Sequence, residues 1–320
     1  MNARHWLHRA GLVALLLPLA LFTGCGGDGG SDTPDDSIDA DRTLIVENAD
    51  YPVWIDGDSF LFNYSDDSGT QGLFRSDLDG NVTEVYGEAK NDDYVVSPSG
   101  TWAAFSTPAL DGGVVVVELS NPPGEPILLL QGGKRPDFID DDTVVMENAS
   151  GVIGWVDVAD PGVFNTLVNG GWPVVNGDGT KIAFLTHPSG FNLNILTLAT
   201  SDIVQVVTDV GSDYCWNPTA DELFVSQLAA NTLTQVLQIN VTGESYSVFI
   251  AAGTRPSVSA DGTHFFCDLL SGETLSGIQY INLETGREGE IRGTQVPAAA
   301  PSGTRLLTEQ SQNIYLLEFE

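Results

Sequence analysis

A short pattern recurs along this chain at a nearly constant spacing, and it constrains the fold more than any other feature. In its clearest copy, residues 175–184, an apolar stretch is followed by Asp178-Gly179 and then by a second apolar stretch. Asp-Gly is favoured in tight hairpin loops because Gly adopts positive φ without steric cost. The turn position recurs at intervals of 43, 41, 38, 41, 42 and 41 residues, at Gly57, Gly100, Asp141, Gly179, Ala220, Gly262 and Gly303. Such self-similarity predicts one array of repeated units.

A second register accompanies the first. Five or six residues before each turn position the chain has a proline or a tyrosine, namely Pro52, Tyr94, Pro136, Pro173, Tyr214, Pro256 and Pro297. Proline is tolerated at the first residue of a strand, where no ladder donor is needed. In four repeats a glycine stands three residues earlier, at Gly133, Gly170, Gly211 and Gly253. Each repeat therefore reads as Gly-x-x-Pro, a strand, a turn and a second strand.

This repeat resembles the WD40-like repeat of TolB-type β-propellers, and the resemblance covers residues 50–320. It implies an all-β fold, a seven-bladed β-propeller of four-stranded antiparallel blades. We expect blades at roughly 50–90, 91–132, 133–169, 170–210, 211–252, 253–293 and 294–320 together with 43–48. The seventh repeat runs out after three strands, so we predict that the N-terminal strand, residues 43–47, completes the last blade and closes the ring.

The first 42 residues have the features of an export and anchoring segment. Arg4 and Arg9 precede an apolar run, residues 10–22, that is too short to span a bilayer. The following residues resemble a bacterial lipobox, so we predict a signal peptide at 1–24, lipidation of Cys25 and a flexible acidic tether over 25–42. An ordinary secretory signal is the alternative. Gly26, where inner-membrane lipoproteins have Asp, favours the outer membrane, facing the periplasm or the cell surface.

The charge of the chain excludes some partners. Without Arg4 and Arg9, 44 acidic residues face 10 basic ones, a net charge near −34. Nucleic acid and a bare anionic membrane surface would be repelled. Two interpretations of this acidic charge remain open. The charge could keep the protein soluble in a salty medium, or it could serve to bind a basic partner or Ca²⁺. The densest acidic run, residues 140–142, falls on a turn and lacks the spacing of a Ca²⁺ loop, so we expect no cofactor.

Catalytic motifs are scarce. Only His187 and His264 follow the signal, which excludes a three-His metal centre, and no G-x-S-x-G is present. We therefore predict that the chain is not an enzyme. The alternative is a glycan- or peptide-processing enzyme with a carboxylate site at the channel mouth. We expect Cys215 and Cys267 to be buried thiols, with a disulfide between neighbouring blades as the other option.

One set of residues is a candidate binding site. The residues just before the proline or tyrosine register should lie together near one mouth of the central channel if the repeats superpose. We call them the ring positions: Tyr51, Asp93, Arg135, Trp172, Asp213, Arg255 and Val296. Arg and aromatic residues dominate binding hot spots, although these side chains could instead pair with each other or with loop carboxylates. Because TolB-type proteins dock envelope partners, the resemblance implies binding of a protein or peptide on a propeller face. Together with the lipobox it predicts an envelope lipoprotein without catalytic activity, which we expect to be a monomer.

Overall fold

The computed structural model describes residues 42–65, 71–87, 92–109, 112–186, 191–228, 234–242, 245–271 and 274–319. Within these ranges the chain forms strands and turns, and none of them contains a helix long and apolar enough to cross a membrane. The predicted signal, Cys25, nearly all of the tether and His187 lie outside the described residues and stay predictions.

The first four blades each consist of four consecutive antiparallel strands. Blade 1 contains β2 (Ala49–Trp54), β3 (Ser59–Ser65), β4 (Gln71–Asp77) and β5 (Val82–Tyr86). Blade 2 contains β6 (Asp92–Val96), β7 (Trp102–Thr107), β8 (Gly113–Glu118) and β9 (Ile127–Gln131). Blade 3 contains β10 (Lys134–Phe138), β11 (Thr143–Glu147), β12 (Val152–Asp157) and β13 (Asn165–Asn169). Blade 4 contains β14 (Gly171–Val175), β15 (Lys181–Thr186), β16 (Asn192–Thr197) and β17 (Asp202–Val207).

Blades 5 and 6 follow the same plan, and blade 7 takes one strand from the other end of the chain. Blade 5 contains β18 (Val210–Trp216), β19 (Glu222–Leu228), β20 (Thr234–Asn240) and β21 (Ser245–Ile250). Blade 6 contains β22 (Gly253–Val258), β23 (His264–Ser271), β24 (Thr274–Asn282) and β25 (Glu288–Arg292). Blade 7 contains β26 (Gln295–Ala299), β27 (Arg305–Gln310), β28 (Asn313–Glu318) and β1 (Arg42–Glu47). In each blade the strand named first is the inner strand, and the strand named last is the outer strand.

The ring is closed by the pairing of the two ends of the chain. Strand β1 runs antiparallel to β28, with Arg42 opposite Leu317 and Glu47 opposite Asn313. The inner strands of neighbouring blades contact each other all the way round, including β26 with β2. The predicted fold, a seven-bladed propeller whose last blade is completed by the N-terminal strand, is therefore confirmed.

The core lies between the blades. The second strand of each blade is covered on both faces, which explains why these strands read as continuous apolar runs. Their phenylalanines are almost fully buried: Phe60, Phe62, Phe105, Phe184, Phe224, Phe265 and Phe266. The repeated glycines stand against these strands; a Cβ on Gly170 would lie 2.7 Å from the Phe184 ring, and one on Gly253 would lie 3.0 Å from the Cys267 sulfur. The Gly-x-x-Pro pattern thus reflects close approach of the inner strand to the second one.

The hydrogen bonds of the turns explain why acidic residues occur there. Gly179 and Gly262 both have a φ of +71°, as the Asp-Gly turn predicts. The Asp178 carboxylate accepts hydrogen bonds from Thr180, which hold the pKa of that carboxyl below its ordinary value. Asp141, in the acidic run of residues 140–142, accepts a 2.9 Å hydrogen bond from the backbone N–H of Ser99 in the preceding blade. These carboxylates stabilise turns and join neighbouring blades.

Both described cysteines are thiols. Cys215 and Cys267 pack in one apolar cluster with Phe224 and Phe265 at the seam between blades 5 and 6, without a disulfide. Burial raises the pKa of the Cys215 thiol to about 12 and that of Cys267 further still. Neither is a reactive thiolate at neutral pH.

Candidate functional site

The ring positions occupy a β-bulge that recurs at the start of every inner strand. In blade 1 the ladder between β2 and β3 skips from Asp50 to Val53, so Tyr51 and Pro52 bulge out of register. The other six inner strands have equivalent shifts. Since these bulges stand at the same end of adjacent inner strands, the structure brings the seven predicted residues to one end of the central channel, which we call the ring mouth.

Six of the seven ring positions have left-handed backbone. Their φ values lie between +49° and +56°, at Tyr51, Asp93, Arg135, Trp172, Arg255 and Val296. Asp213 is the exception, because the bulge in β18 is longer and runs from Val210 to Tyr214. A left-handed conformation costs a non-glycine residue about 1–2 kcal/mol, so it persists only where neighbouring groups hold the backbone.

Neighbouring blades supply those holding groups. The N–H of Arg135 donates a 2.9 Å hydrogen bond to Ser106 Oγ of blade 2, and the N–H of Val296 donates a 2.9 Å bond to Asp268 Oδ1 of blade 6. On the carbonyl side, the Tyr94 hydroxyl donates to the carbonyl of Tyr51. A neighbouring blade thus holds the ring backbone at Tyr51, Arg135 and Val296.

The two tyrosines of the proline register have the same role. The Tyr214 hydroxyl donates to the carbonyl of Trp172, as that of Tyr94 does to Tyr51. Burial raises the pKa of both phenols well above the ordinary value, so both stay protonated donors. Sequence reasoning placed these tyrosines at strand starts and missed this contact, although a phenol that replaces proline in two of seven repeats was a visible signal.

In blade 3 the ring position is part of a four-residue cluster. Arg135 Nη1 lies 2.7 Å from Glu147 Oε2, and Lys134 Nζ lies 2.8 Å from Glu147 Oε1. The Arg135 guanidinium also stacks on the Trp172 ring of blade 4, with 3.7 Å between Cζ and the ring centroid. Trp172 in turn meets Phe191 edge to face. We call Lys134, Arg135, Glu147 and Trp172 the blade 3 cluster.

In blade 6 the equivalent ion pair has a single cation, and its carboxylate is more deeply buried. Arg255 Nε lies 2.6 Å from Oδ2 of Asp268, whose side chain is fully buried. Burial raises the pKa of the Asp268 carboxyl to about 6, although Arg255 and the Val296 N–H act in the opposite direction. Asp213 accepts a 3.2 Å hydrogen bond from the Thr254 hydroxyl nearby. We call Arg255 and Asp268 the blade 6 pair.

Sequence reasoning missed the residues that partner the ring. They stand at the end of the second strands, each opposite the last paired residue before a bulge: Asn63, Ser106, Glu147, Leu185, Gln227, Asp268 and Glu309. Six of the seven are polar at the end of an otherwise apolar run, and they repeat with the period of the turns. That regularity was a usable signal. The two ring arginines pair with carboxylates of the second strands, Glu147 and Asp268, and not with the loop carboxylates that the alternative named.

The ring mouth opens on a central cavity of about 780 Å³. Arg255 and Val296 lie in its wall beside prolines of the register, Pro52, Pro256 and Pro297, and the cavity extends towards the turns at Gly57 and Ser99. Tyr51 is 49% exposed, and Asp93 and Asp213 are exposed too. His264 lies near the turns instead, stacked on Tyr280 and hydrogen-bonded to Asn282.

No protein-family model and no curated protein matches this sequence. Solved structures do match. TolB from Acinetobacter baumannii has a TM-score of 0.52 at 14% identity, over 82% of this chain and 64% of that one. The predicted resemblance to TolB-type β-propellers is confirmed at the level of the fold.

Enzymes share the fold as well. Oligogalacturonate lyase from Vibrio parahaemolyticus has a TM-score of 0.66 at 10% identity, over 90% of this chain and 94% of that one. A puromycin-hydrolysing peptidase from Mycobacterium tuberculosis has a TM-score of 0.61 at 14% identity and covers 82% of this chain, which spans about half of it (48%). The prediction that this chain is not an enzyme, which rests on its scarce catalytic motifs, is therefore wrong, because enzymes share its fold.

Proposed function

We propose that the chain is a lipid-anchored protein of the bacterial cell envelope that binds a protein or peptide partner at the ring mouth. One observation carries the proposal. The recurring bulge places Tyr51, Arg135, Trp172 and Arg255 at one end of the central channel. Hydrogen bonds from a neighbouring blade hold the backbone of the first three. Rigidly positioned aromatic and Arg side chains are the usual anchors of protein interfaces.

The overall charge of the chain narrows the class of partner. Asp213 is exposed at the ring mouth, and the two ring arginines face Glu147 and Asp268. The chain as a whole has 44 acidic and 12 basic residues, so its net charge is strongly negative. It favours a partner segment with Lys or Arg, or a free amino terminus, because complementary potentials speed encounter and select the register.

The anchor fits this arrangement. The proposed tether between Cys25 and the start of β1 at Arg42 contains sixteen residues, rich in Gly, Ser and Asp. A flexible linker of that length has an end-to-end distance of roughly 20–25 Å, so the propeller would stay close to the membrane while its faces remain accessible. Mass spectrometry of the mature N-terminus tests the lipid directly, and a Cys25→Ser variant should move to the soluble fraction.

Site-specific photo-crosslinking in cells tests the docking site. A photoreactive phenylalanine analogue replaces Tyr51, and the matched control carries it at Val163, which is also 49% exposed but belongs to the loop before β13. We expect a discrete cross-linked partner from the first position and none from the second. Equal products from both, or none from either, would refute docking at the ring mouth.

A glycan- or peptide-processing activity is less well supported by the geometry. In the described part of the chain, the two carboxyls whose pKa is raised to about 6 are Asp137 and Asp268. Asp268 is fully buried, and the oxygens of Asp137 accept hydrogen bonds from the Phe138 and Val175 N–H groups. Asp268 does not reach a substrate without rearrangement, and Asp137 is half-buried with both oxygens engaged by backbone N–H groups. Turnover of polygalacturonate or of peptide substrates by the purified chain would nevertheless establish an activity that the fold allows.

A further inference from the structure

The seams between blades differ at the outer rim of the disc. Between blades 5 and 6 the rim is sealed by Phe249 of β21. Its ring packs against Phe224 of blade 5 and Phe265 of blade 6, with centroids 5.1 and 4.9 Å away. The Phe249 side chain therefore covers the outer end of the apolar core between blades 5 and 6.

The seam between blades 4 and 5 is open instead. Its inner part is a continuous apolar cluster that includes Ile195 and Ile239. At the rim, however, Val204 is 44%, Tyr246 60% and Val248 54% exposed. A cleft of about 140 Å³ lies between β17 and β21, close to the size of an apolar cavity that accommodates benzene.

The strand register shows that these exposed residues continue the core. Val204 lies opposite the buried Ile195, and Tyr246 lies opposite the buried Ile239. Directly opposite residues of an antiparallel pair project on the same face. The apolar face between blades 4 and 5 therefore extends to solvent. We call Val204, Val206, Tyr246 and Val248 the rim groove.

The edge of blade 5 is also unprotected. Strand β21 is the last strand of its sheet, and its sequence, Ser-Tyr-Ser-Val-Phe-Ile, contains no charge, proline or glycine. Natural proteins protect such edges with charges, proline or a covering segment. Some other outer strands do so: β5 carries Glu84, and β25 carries Glu288, Glu290 and Arg292. Strands β9 and β13 are uncharged like β21, so β21 is distinguished by the open apolar groove beside it together with its edge.

We propose that the rim groove binds an extended peptide segment of a partner protein, which pairs with β21 as a fifth strand of blade 5 and places an apolar side chain in the cleft. Strand addition of this kind takes affinity from main-chain hydrogen bonds and specificity from pockets for alternate side chains. This groove lies on the outer rim, so the inference is independent of the ring mouth.

Area and charge favour a peptide over a second copy of the chain. A stable dimer buries about 800 Å² per partner, whereas the groove comprises four side chains on two strands. Two copies, each with a net charge of −32, would also repel one another. A single strand needs only an edge and one or two pockets.

Fluorescence anisotropy with a labelled, lysine-flanked peptide of alternating valine and threonine tests the proposal. We expect saturable binding to the full chain and about tenfold weaker binding to Val248→Lys. The matched control is Val82→Lys on β5, since Val82 is 46% exposed on an outer strand that already carries a charge. It should bind like the unmodified chain. Peptide binding should also slow amide hydrogen exchange within β21.

Two further measurements separate strand addition from binding through side chains alone and from self-association. The same peptide N-methylated at every residue keeps its side chains but has no N–H group on either edge with which to pair, so it should not bind. Equal binding of that peptide, or equal weakening by Val82→Lys and Val248→Lys, would overturn the proposal. So would a dimer of the unmodified chain in sedimentation velocity that Val248→Lys dissociates, because the occupant would then be a second copy.

Discussion

The blade 3 cluster and the blade 6 pair occupy the same repeat positions, but their carboxylates differ in burial and in the number of cations that neutralise them. In blade 3 Glu147 is shared by two cations, and Trp172 covers the guanidinium. In blade 6 one guanidinium faces the fully buried Asp268, and burial outweighs it, so the pKa of that carboxyl rises to about 6. The repeated backbone thus sets where an arginine and a carboxylate meet. The number of cations around the carboxylate and its burial then decide the free-energy cost of keeping it ionised.

The largest effect is expected from Arg255→Met. Removing one partner of a buried ion pair leaves an uncompensated charge and costs about 3–5 kcal/mol. We expect the free energy of unfolding at pH 7.5, measured by urea denaturation, to fall by that amount. A loss below about 1 kcal/mol would show that Asp268 does not depend on Arg255.

The same variant should show a marked pH dependence. A carboxyl with a raised folded-state pKa takes up a proton more readily in the folded state, so its contribution to stability declines as pH rises from about 4 through about 6. Without Arg255 the folded-state pKa of Asp268 should be higher, so the total decline should be larger and should extend to higher pH. The destabilisation by Arg255→Met should therefore shrink by about half or more between pH 7.5 and pH 5. Urea denaturation at several pH values measures it, and a pH-independent difference would contradict the assignment to Asp268.

Arg135→Met should cost less, about 1–2 kcal/mol. The variant loses an ion pair and the stacking on Trp172, but Lys134 still neutralises Glu147. Measured beside Arg255→Met under identical conditions, this change tests whether the second cation distinguishes the two blades. If the two losses are equal, Lys134 gives no protection.

The smallest effect is expected from Lys134→Met. Its side chain is 42% exposed, and exposed ion pairs contribute about 0–1 kcal/mol. The double variant Lys134→Met/Arg135→Met should, however, lose more than the sum of the two single changes, because Glu147 then keeps neither cation. Simple additivity in a double-mutant cycle would contradict this shared role.

Much of this architecture could be predicted from spacing alone. The period of the turns set the number of blades, and the missing fourth strand of the last repeat predicted that β1 would pair with β28. The same spacing brought Arg135 and Trp172 to neighbouring positions of one ring. These features follow from regular repetition, which a single sequence displays directly.

Other features could not be read from local sequence. Nothing in Tyr51 or Trp172 favours left-handed backbone; the bulge and hydrogen bonds from other blades impose it. Glu147 and Asp268 were visible as polar residues ending apolar strands, but their depth depends on packing across seams. The rim groove lay beyond prediction for the same reason, since only the assembled ring shows that Phe249 seals one seam while the neighbouring seam extends to solvent.

Closure by β1 also has a consequence for synthesis. The strand made first pairs with one of the strands made last, since Arg42 is matched with Leu317. A nascent propeller must therefore keep an unpaired sheet edge through nearly all of translation. A premature stop within the final blade would leave two exposed sheet edges in one molecule, which would be prone to aggregation and proteolysis.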